Sequence, residues 1–167
     1  MPEHMADYPK GLKRTSDSLT EITKLIQYRD INGQNRLFGG RLMEWIDEAA
    51  GVAAMRHCGG NAVTLMVDSL KFKKGAFIND ILVLIAKVTY VGRTSMEVRV
   101  DTYVEEKDTG IRRAINHAYL TCVHVDSDGR PEPIDYGLEP LTITELAEWE
   151  GAQKRRAIRK QRSSEGF

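Results

Sequence analysis

The stretch Asn32-Gly-Gln-Asn-Arg-Leu-Phe-Gly39-Gly40-Arg41-Leu-Met-Glu-Trp-Ile-Asp47-Glu-Ala-Ala-Gly-Val-Ala-Ala54 decides how the rest of the chain is read. A turn-prone loop delivers two glycines to the start of a long helix. The helix assignment from Arg41 to Arg56 rests on good helix formers, no proline, and Leu42, Ile46, Ala49, Ala50, Ala53 and His57 at helical spacing. Gly39-Gly40 opens it and Gly59-Gly60 closes it. At about 100° per residue, Asp47 shares a face with Gly40, Met43, Ala50, Gly51 and Ala54, while Arg41, Glu44 and Glu48 lie on the polar flank. Asp47 is thus expected to be the less solvated acid. The small residues from Ala49 to Ala54 give the helix a slim body suited to close wrapping by a curved sheet. A plainer reading also stands, in which Asp47 sits at an interface edge paired with an arginine.

Outward from the helix, the pattern is one of strands. Leu19–Ile26 forms a short first strand, and Asp30-Ile-Asn-Gly33 is a turn leading into the loop. Ala62–Phe72 alternates, with Val63, Leu65 and Val67 on one side and Thr64, Met66, Asp68 and Leu70 on the other. Lys73-Lys-Gly-Ala76 is a loop. Ile81–Val91 is nearly continuous in apolar and β-branched residues, as a strand covered on both faces would be. Gly92-Arg93 turns the chain. Thr94–Glu105 alternates cleanly, placing Met96, Val98, Val100, Thr102 and Val104 on one face and Glu97, Arg99, Asp101, Tyr103 and Glu105 on the other. Lys107–Gly110 turns again, and Ile111–Asp126 is the last long strand. Three long strands joined by short turns form an antiparallel meander. One buried helix followed by consecutive strands predicts an α+β fold, a sheet curled around a central helix. Residues 1–18 read as a flexible arm, residues 19–130 as the folded domain, and residues 131–167 as a proline-marked linker and a basic helix, capped by Thr142 or Thr144 and running to about Arg162. Its cations would favour the helix C-terminus through the macrodipole.

The 167 residues suit a single domain, and 41% hydrophobic with 29% charged residues is an ordinary globular composition. No apolar run approaches the roughly 20 residues of a membrane helix. The first fourteen residues lack an apolar signal core, so secretion is not expected. Cys58 and Cys122 form no C-x-x-C pair and suit a reduced, cytoplasmic setting. Basic and acidic residues balance at 24 each, yet Gly151–Arg162 holds six cations and no acid, so residues 1–150 carry 18 basic against 23 acidic side chains. His117 and His124 stand an odd number of residues apart on one strand, which gives no metal site. There is no G-x-S-x-G, Walker loop or G-x-G-x-x-G.

The combination of Asn32, Phe38-Gly-Gly-Arg-x-Met-Glu-Trp-x-Asp-Glu-Ala-Ala-Gly51, Thr64-Leu-Met-Val-Asp68, Phe72, Asp80 and Val91-Gly-Arg-Thr-Ser-Met-Glu-Val98 resembles the hotdog-fold acyl-coenzyme A thioesterases, over roughly Leu19 to Val125. The resemblance implies hydrolysis of acyl-CoA thioesters, with Asn32 and Asp47 as catalytic residues contributed by opposite subunits. It implies a homodimer at least, often grouped into hexamers as a trimer of dimers. It requires no cofactor beyond the coenzyme A of the substrate. Helix N-terminal amides can stabilise a developing oxyanion, so the Gly40 N–H is expected to polarise the carbonyl. Asp47 would act as general base on water or attack directly to give an anhydride, and Asn32 would orient water or carbonyl. Asn32 could equally be a left-handed turn residue. The turn Gly92, Arg93, Thr94, Ser95 resembles the family's coenzyme A contact, and Lys73, with Lys71 and Lys74, is a second candidate phosphate patch. An exposed hairpin arginine and a solvated lysine loop are the plain alternatives. Relatives often carry a proline and a Gly-Asp pair after Phe72, where this chain has Gly75 and Asn79-Asp80.

Two rivals remain at this stage. A hydratase on the same fold would want a histidine beside the helix, and Asn32–Gly40 has none. A non-catalytic acyl-CoA sensor could direct its basic tail to nucleic acid or a protein partner, although such a segment is more often surface or a subunit contact. A nucleic-acid or membrane partner is not the expectation.

Overall fold

The computed structural model describes residues 8–167. Helix α2, Gly39–Cys58, begins at the glycine pair and ends where Gly59, at φ 72°, donates its N–H to the Met55 carbonyl. Only a left-handed residue closes the helix this way. Leu42, Trp45, Ile46, Ala49, Ala50, Ala53, Ala54, His57 and Cys58 are all buried, so the expected apolar stripe is the face that enters the core. The four alanines carry no exposed area, which lets the sheet backbone approach closely.

Five antiparallel strands wrap this helix in the order β2-β4-β5-β6-β3: β2 is Thr20–Leu25, β3 Asn61–Asp68, β4 Ile81–Val91, β5 Ser95–Glu105 and β6 Arg112–Val125. The fold is α+β, as expected. Register breaks at Thr64/Met66, Val88/Tyr90 and Thr102/Tyr103 mark bulges, and each extra residue bends and twists its strand, which curls the sheet. Met96, Val98, Val100, Thr102 and Val104 of β5 are buried, matching the alternation read from the sequence.

The structure departs from the reading in three places. The alternation of β3 holds only as far as its bulge: Ala62 packs on the core and Thr64 reaches α2, whereas Val63 and Leu65, and Met66 and Val67 in succession, are exposed. β3 is an edge strand with no partner on its outer side among the described residues. The arm is not featureless over its described part: β1, Leu12–Arg14, pairs in parallel with β7, Gly137–Glu139, and α1 spans Thr15–Ser18. Residues 1–7 of that arm lie outside the described residues. The segment from Pro131 therefore does more than link, since it supplies β7.

Helix α3, Ile143–Glu165, is capped by Thr142 in a capping box with Glu145, which decides between the two threonines. It lies on the face of the sheet opposite α2, with Trp149 packed on Tyr90 at 4.6 Å between ring centroids. Only Arg162 of its cations sits in the last turn. Arg155 instead reaches Glu97 at 2.7 Å and Arg159 reaches Asp68 at 2.7 Å, because the charged face of β5 is covered by α3. Arg99 bridges Asp101 and Glu148 in the same layer. Much of the basic segment is thus committed to the sheet and is not a detached tail. Among the described residues, no helix is long and apolar enough to cross a membrane.

Candidate active site

Asp30 anchors the loop before α2. Its buried carboxylate accepts the Gln27 N–H at 2.9 Å and meets Arg41 Nε at 3.2 Å, and its carbonyl accepts the Phe38 N–H at 2.8 Å. A loop residue and the first turn of the helix are thereby fixed to one carboxylate. Asn32 sits within this loop. Its Oδ1 accepts the Gln34 and Arg36 N–H groups at 2.9 and 3.3 Å. The left-handed position belongs to Asn35, at φ 60°, so Asn32 is not the left-handed turn residue. Its side-chain carbonyl braces the loop, and no described residue accepts from its NH2 group.

Phe38 occupies the helix N-cap and has no side-chain acceptor to close it, so the first-turn amides at Gly39 and Gly40 stay uncapped and electropositive. The glycines let two aromatic rings lie close against the helix start. A Cβ on Gly39 would lie 3.3 Å from the Phe72 ring, and one on Gly40 would lie 2.6 Å from Phe38 Cε1. The two rings fill the space that side chains there would take. A cavity of about 320 Å3 opens beside the helix start, lined by Asn32, Gly39, Leu42, Phe72 and Lys73 among others.

Asp47 does not line that cavity. It stands seven residues after Gly40, about 10 Å along the helix axis, and is exposed in this chain, contrary to the expectation that it would be the less solvated acid. Its partner is not an arginine but Thr64 on β3, whose Oγ1 donates to Asp47 Oδ1 at 2.6 Å. Thr64 also lies 4.0 Å from Cys122 Sγ. Sequence reading placed Thr64 in a strand and gave it no role. Nothing local singles it out, because the bond joins a strand to a helix residue far back in the chain. Burial pushes the Cys122 thiol up to about 11, so the thiol is protonated near neutral pH and is no nucleophile.

The turn Gly92–Ser95 lies elsewhere. Gly92 N–H donates to the Ser95 carbonyl at 2.7 Å, and the His124 N–H reaches the Thr94 carbonyl at 2.9 Å, next to Gly60 and therefore at the C-terminal end of α2. The other end of β4 adjoins the helix start, where Ile26 N–H bonds the Asp80 carbonyl and Leu37 N–H the Ala76 carbonyl. Eleven residues of β4 separate the two ends, roughly 35 Å at strand rise. One chain therefore brings Asn32, the glycine pair and Lys73 together. It does not bring them to Asp47 or to Gly92–Ser95. Among the described residues, no three His, Cys, Asp or Glu side chains come together as a metal ion would need.

The family model described as "Thioesterase superfamily" matches residues 34–111. The chain is 43% identical over 105 residues to an uncharacterized acyl-CoA thioester hydrolase, YkhA, of Bacillus subtilis, covering 63% of this chain and 61% of that protein. It is 32% identical over 163 residues to protein VdlD of Helicobacter pylori, covering 95% of this chain and 92% of the relative. Among solved structures, the acyl-CoA hydrolase of Staphylococcus aureus in complex with butyryl coenzyme A, coenzyme A and coenzyme A disulfide superposes with a TM-score of 0.87 at 34% identity, over 93% of this chain and 94% of that one. Variants of the S. aureus protein carrying an aspartate, an asparagine or a threonine replaced by alanine have also been solved; the asparagine precedes the aspartate by 15 positions and the threonine follows it by 17. An apo-hexameric acyl-CoA thioesterase superposes with a TM-score of 0.86 at 38% identity, over 90% of this chain and 96% of that one.

Proposed function

Because the chain belongs to the hotdog-fold acyl-coenzyme A thioesterases, we propose that it hydrolyses acyl-CoA thioesters to free acid and coenzyme A at sites completed by two copies. The observation that carries the reading is the hydrogen bond from Thr64 to Asp47, together with spacing. Asn32, Asp47 and Thr64 stand at the same intervals of 15 and 17 residues as the three positions replaced in the S. aureus hydrolase.

In the proposed reaction, the substrate carbonyl oxygen lies against the uncapped N–H of Gly40 at the start of α2, where the helix dipole stabilises negative charge. Thr64 holds one oxygen of Asp47 and leaves the other to take a proton from water. The water oxygen adds to the carbonyl carbon. The tetrahedral intermediate then collapses by breaking the C–S bond, and the sulfur leaves with its electron pair as coenzyme A thiolate. A thiol pKa near 8.5 means the leaving group needs little help from an acid, so one carboxylate suffices. The Asn32 carboxamide, with its NH2 group unengaged, orients the carbonyl or the water.

Asp47 and the helix start must come from different copies, since they are separated by two helical turns in one chain. The exposed apolar rim of β3 is the surface for a second copy, because an unpaired edge strand favours pairing. A two-fold axis there sets the two α2 helices antiparallel, so the N-terminal end of one helix meets the far end of the other, and the turn Gly92–Ser95 with it. The dimer is the minimal unit of this proposal. A hexamer like that of the apo-hexameric relative is the arrangement to look for beyond it. Cys58 and Cys122, both buried free thiols, fit a cytoplasmic setting. No cofactor enters the scheme. Steady-state assays on short, medium and long acyl-CoAs, with released thiol followed by a colour reagent, test the activity. Absence of hydrolysis across the series would sink it.

A further inference from the structure

A cavity away from the helix start lies between the Gly92 turn and the C-terminal helix. It has a volume of about 560 Å3 and is lined by Tyr90, Gly92, Arg93, Ile134, Asp135 and Arg156 among others. Two guanidinium groups therefore enter one concavity from distant parts of the chain. Arg156 is held in place by its Nη1 donating to Tyr90 Oη at 3.0 Å, and a Cβ on Gly92 would lie only 3.7 Å from that same nitrogen.

Charge accounting separates these two cations from their neighbours. Arg155 is paired with Glu97 and Arg159 with Asp68, and Asp135, the one acid on the cavity wall, is taken by Lys10 at 2.7 Å. Among the described residues, neither Arg93 nor Arg156 has a carboxylate partner. Two guanidinium groups around one concavity, one of them held by Tyr90 and neither with a carboxylate partner among the described residues, form an anion site, and their planar donor sets suit phosphate. Tyr90 holds Arg156 ready without neutralising it.

We infer that Arg156 on α3 joins Arg93 in this cavity to bind a phosphate of the nucleotide end of coenzyme A. The inference rests on the acyl-CoA reading above and extends it to the C-terminal helix, which then supplies substrate affinity as well as packing. The site lies at the end of the sheet that a two-fold partner would bring toward the start of the other copy's α2.

The test compares Arg156→Gln with Arg93→Gln and wild type in the full-length protein. Substrates are an acyl-CoA, the same acyl 3′-dephospho-CoA, and the acyl thioester of pantetheine, with calorimetric binding of free coenzyme A measured alongside. Losing a charge-assisted bond to phosphate predicts a roughly tenfold or larger rise in KM for acyl-CoA and a matching loss of coenzyme A affinity. KM for the pantetheine thioester should not change, and Arg156→Lys should recover part of the loss. If the dephospho substrate already shows the variant's KM with wild type, the 3′-phosphate is the group bound; if it does not, the diphosphate is. Unchanged coenzyme A affinity and KM in Arg156→Gln would overturn the assignment, as would an equal rise for the pantetheine thioester, which would signal a purely structural effect. A wild-type protein that binds coenzyme A but hydrolyses nothing would remove the hydrolase reading while leaving the phosphate site to stand or fall on the binding data.

Discussion

Thr64 Oγ1 donates to Asp47 Oδ1 at 2.6 Å, joining the edge strand β3 to the middle of helix α2. Asp47 is exposed within the chain, so this bond is what fixes its carboxylate before any substrate arrives. In the proposed reaction, a carboxylate that rotates freely would spend much of its time pointed away from the attacking water, and restraining it would remove that loss.

Replacing Thr64 with Val keeps the branched shape and removes only the hydroxyl. Turnover is expected to fall by roughly tenfold to a hundredfold with little change in melting temperature, while Thr64→Ser stays within a few fold of wild type. Equal losses in the Val and Ser variants would assign Thr64 to packing.

Asp47→Asn and Asn32→Ala should each lower kcat by about a hundredfold or more with the fold intact. Because the two residues are assigned to different copies, co-expressing the two inactive variants should restore about a quarter of wild-type activity, from mixed dimers with one fully wild-type site. No recovery in purified mixed dimers would place both residues in one chain's site.

The general-base step makes a separate isotopic prediction. One turnover in 18O-water should place a single 18O in the released acid. Unlabelled acid with label in the Asp47 peptide would show that the carboxylate attacks directly and passes through an anhydride.

Glu97 is almost fully buried and accepts from Thr89 Oγ1 at 2.8 Å and from Arg155 Nη2 at 2.7 Å. Arg155→Met leaves that buried charge with only the longer contact to Arg159 Nη1, at 3.8 Å, and a cost of up to about 3 kcal/mol is expected in urea denaturation. Adding Glu97→Leu should recover much of it, since the poorly paired charge is then gone. Additive losses in the double variant would argue that packing dominates over charge.

His57 has no exposed surface; its Nε2 lies 3.1 Å from the Tyr136 carbonyl and its Nδ1 has no hydrogen-bond partner among the described residues. Burial holds its pKa down at about 4 from an ordinary value of 6.5. The unfolded chain therefore binds the proton first as pH falls, so stability is full above 6.5 and is lost as pH drops toward 4, by about 3 kcal/mol for this group. His57→Gln should flatten that part of the stability profile between pH 6.5 and 4. An unchanged slope would assign the acid sensitivity to other groups.

Whatever depends on near neighbours in sequence was legible before any coordinates. The glycine brackets, the alanine-rich stripe of α2, the continuous β4 and the alternating β5 follow from local backbone preference and hydrophobic period, which act over a few residues. The helix start beside Asn32 belongs to the same class, because the loop and the first turn are contiguous. Only the tertiary structure decided that Asp47 is held by Thr64, that β3 presents an apolar rim, that β1 pairs with β7, and that α3 turns its arginines onto the sheet. Those outcomes depend on bulges that shift register by one residue and on side chains meeting across tens of positions, where the chain's path through space, and not its order, sets which groups are neighbours.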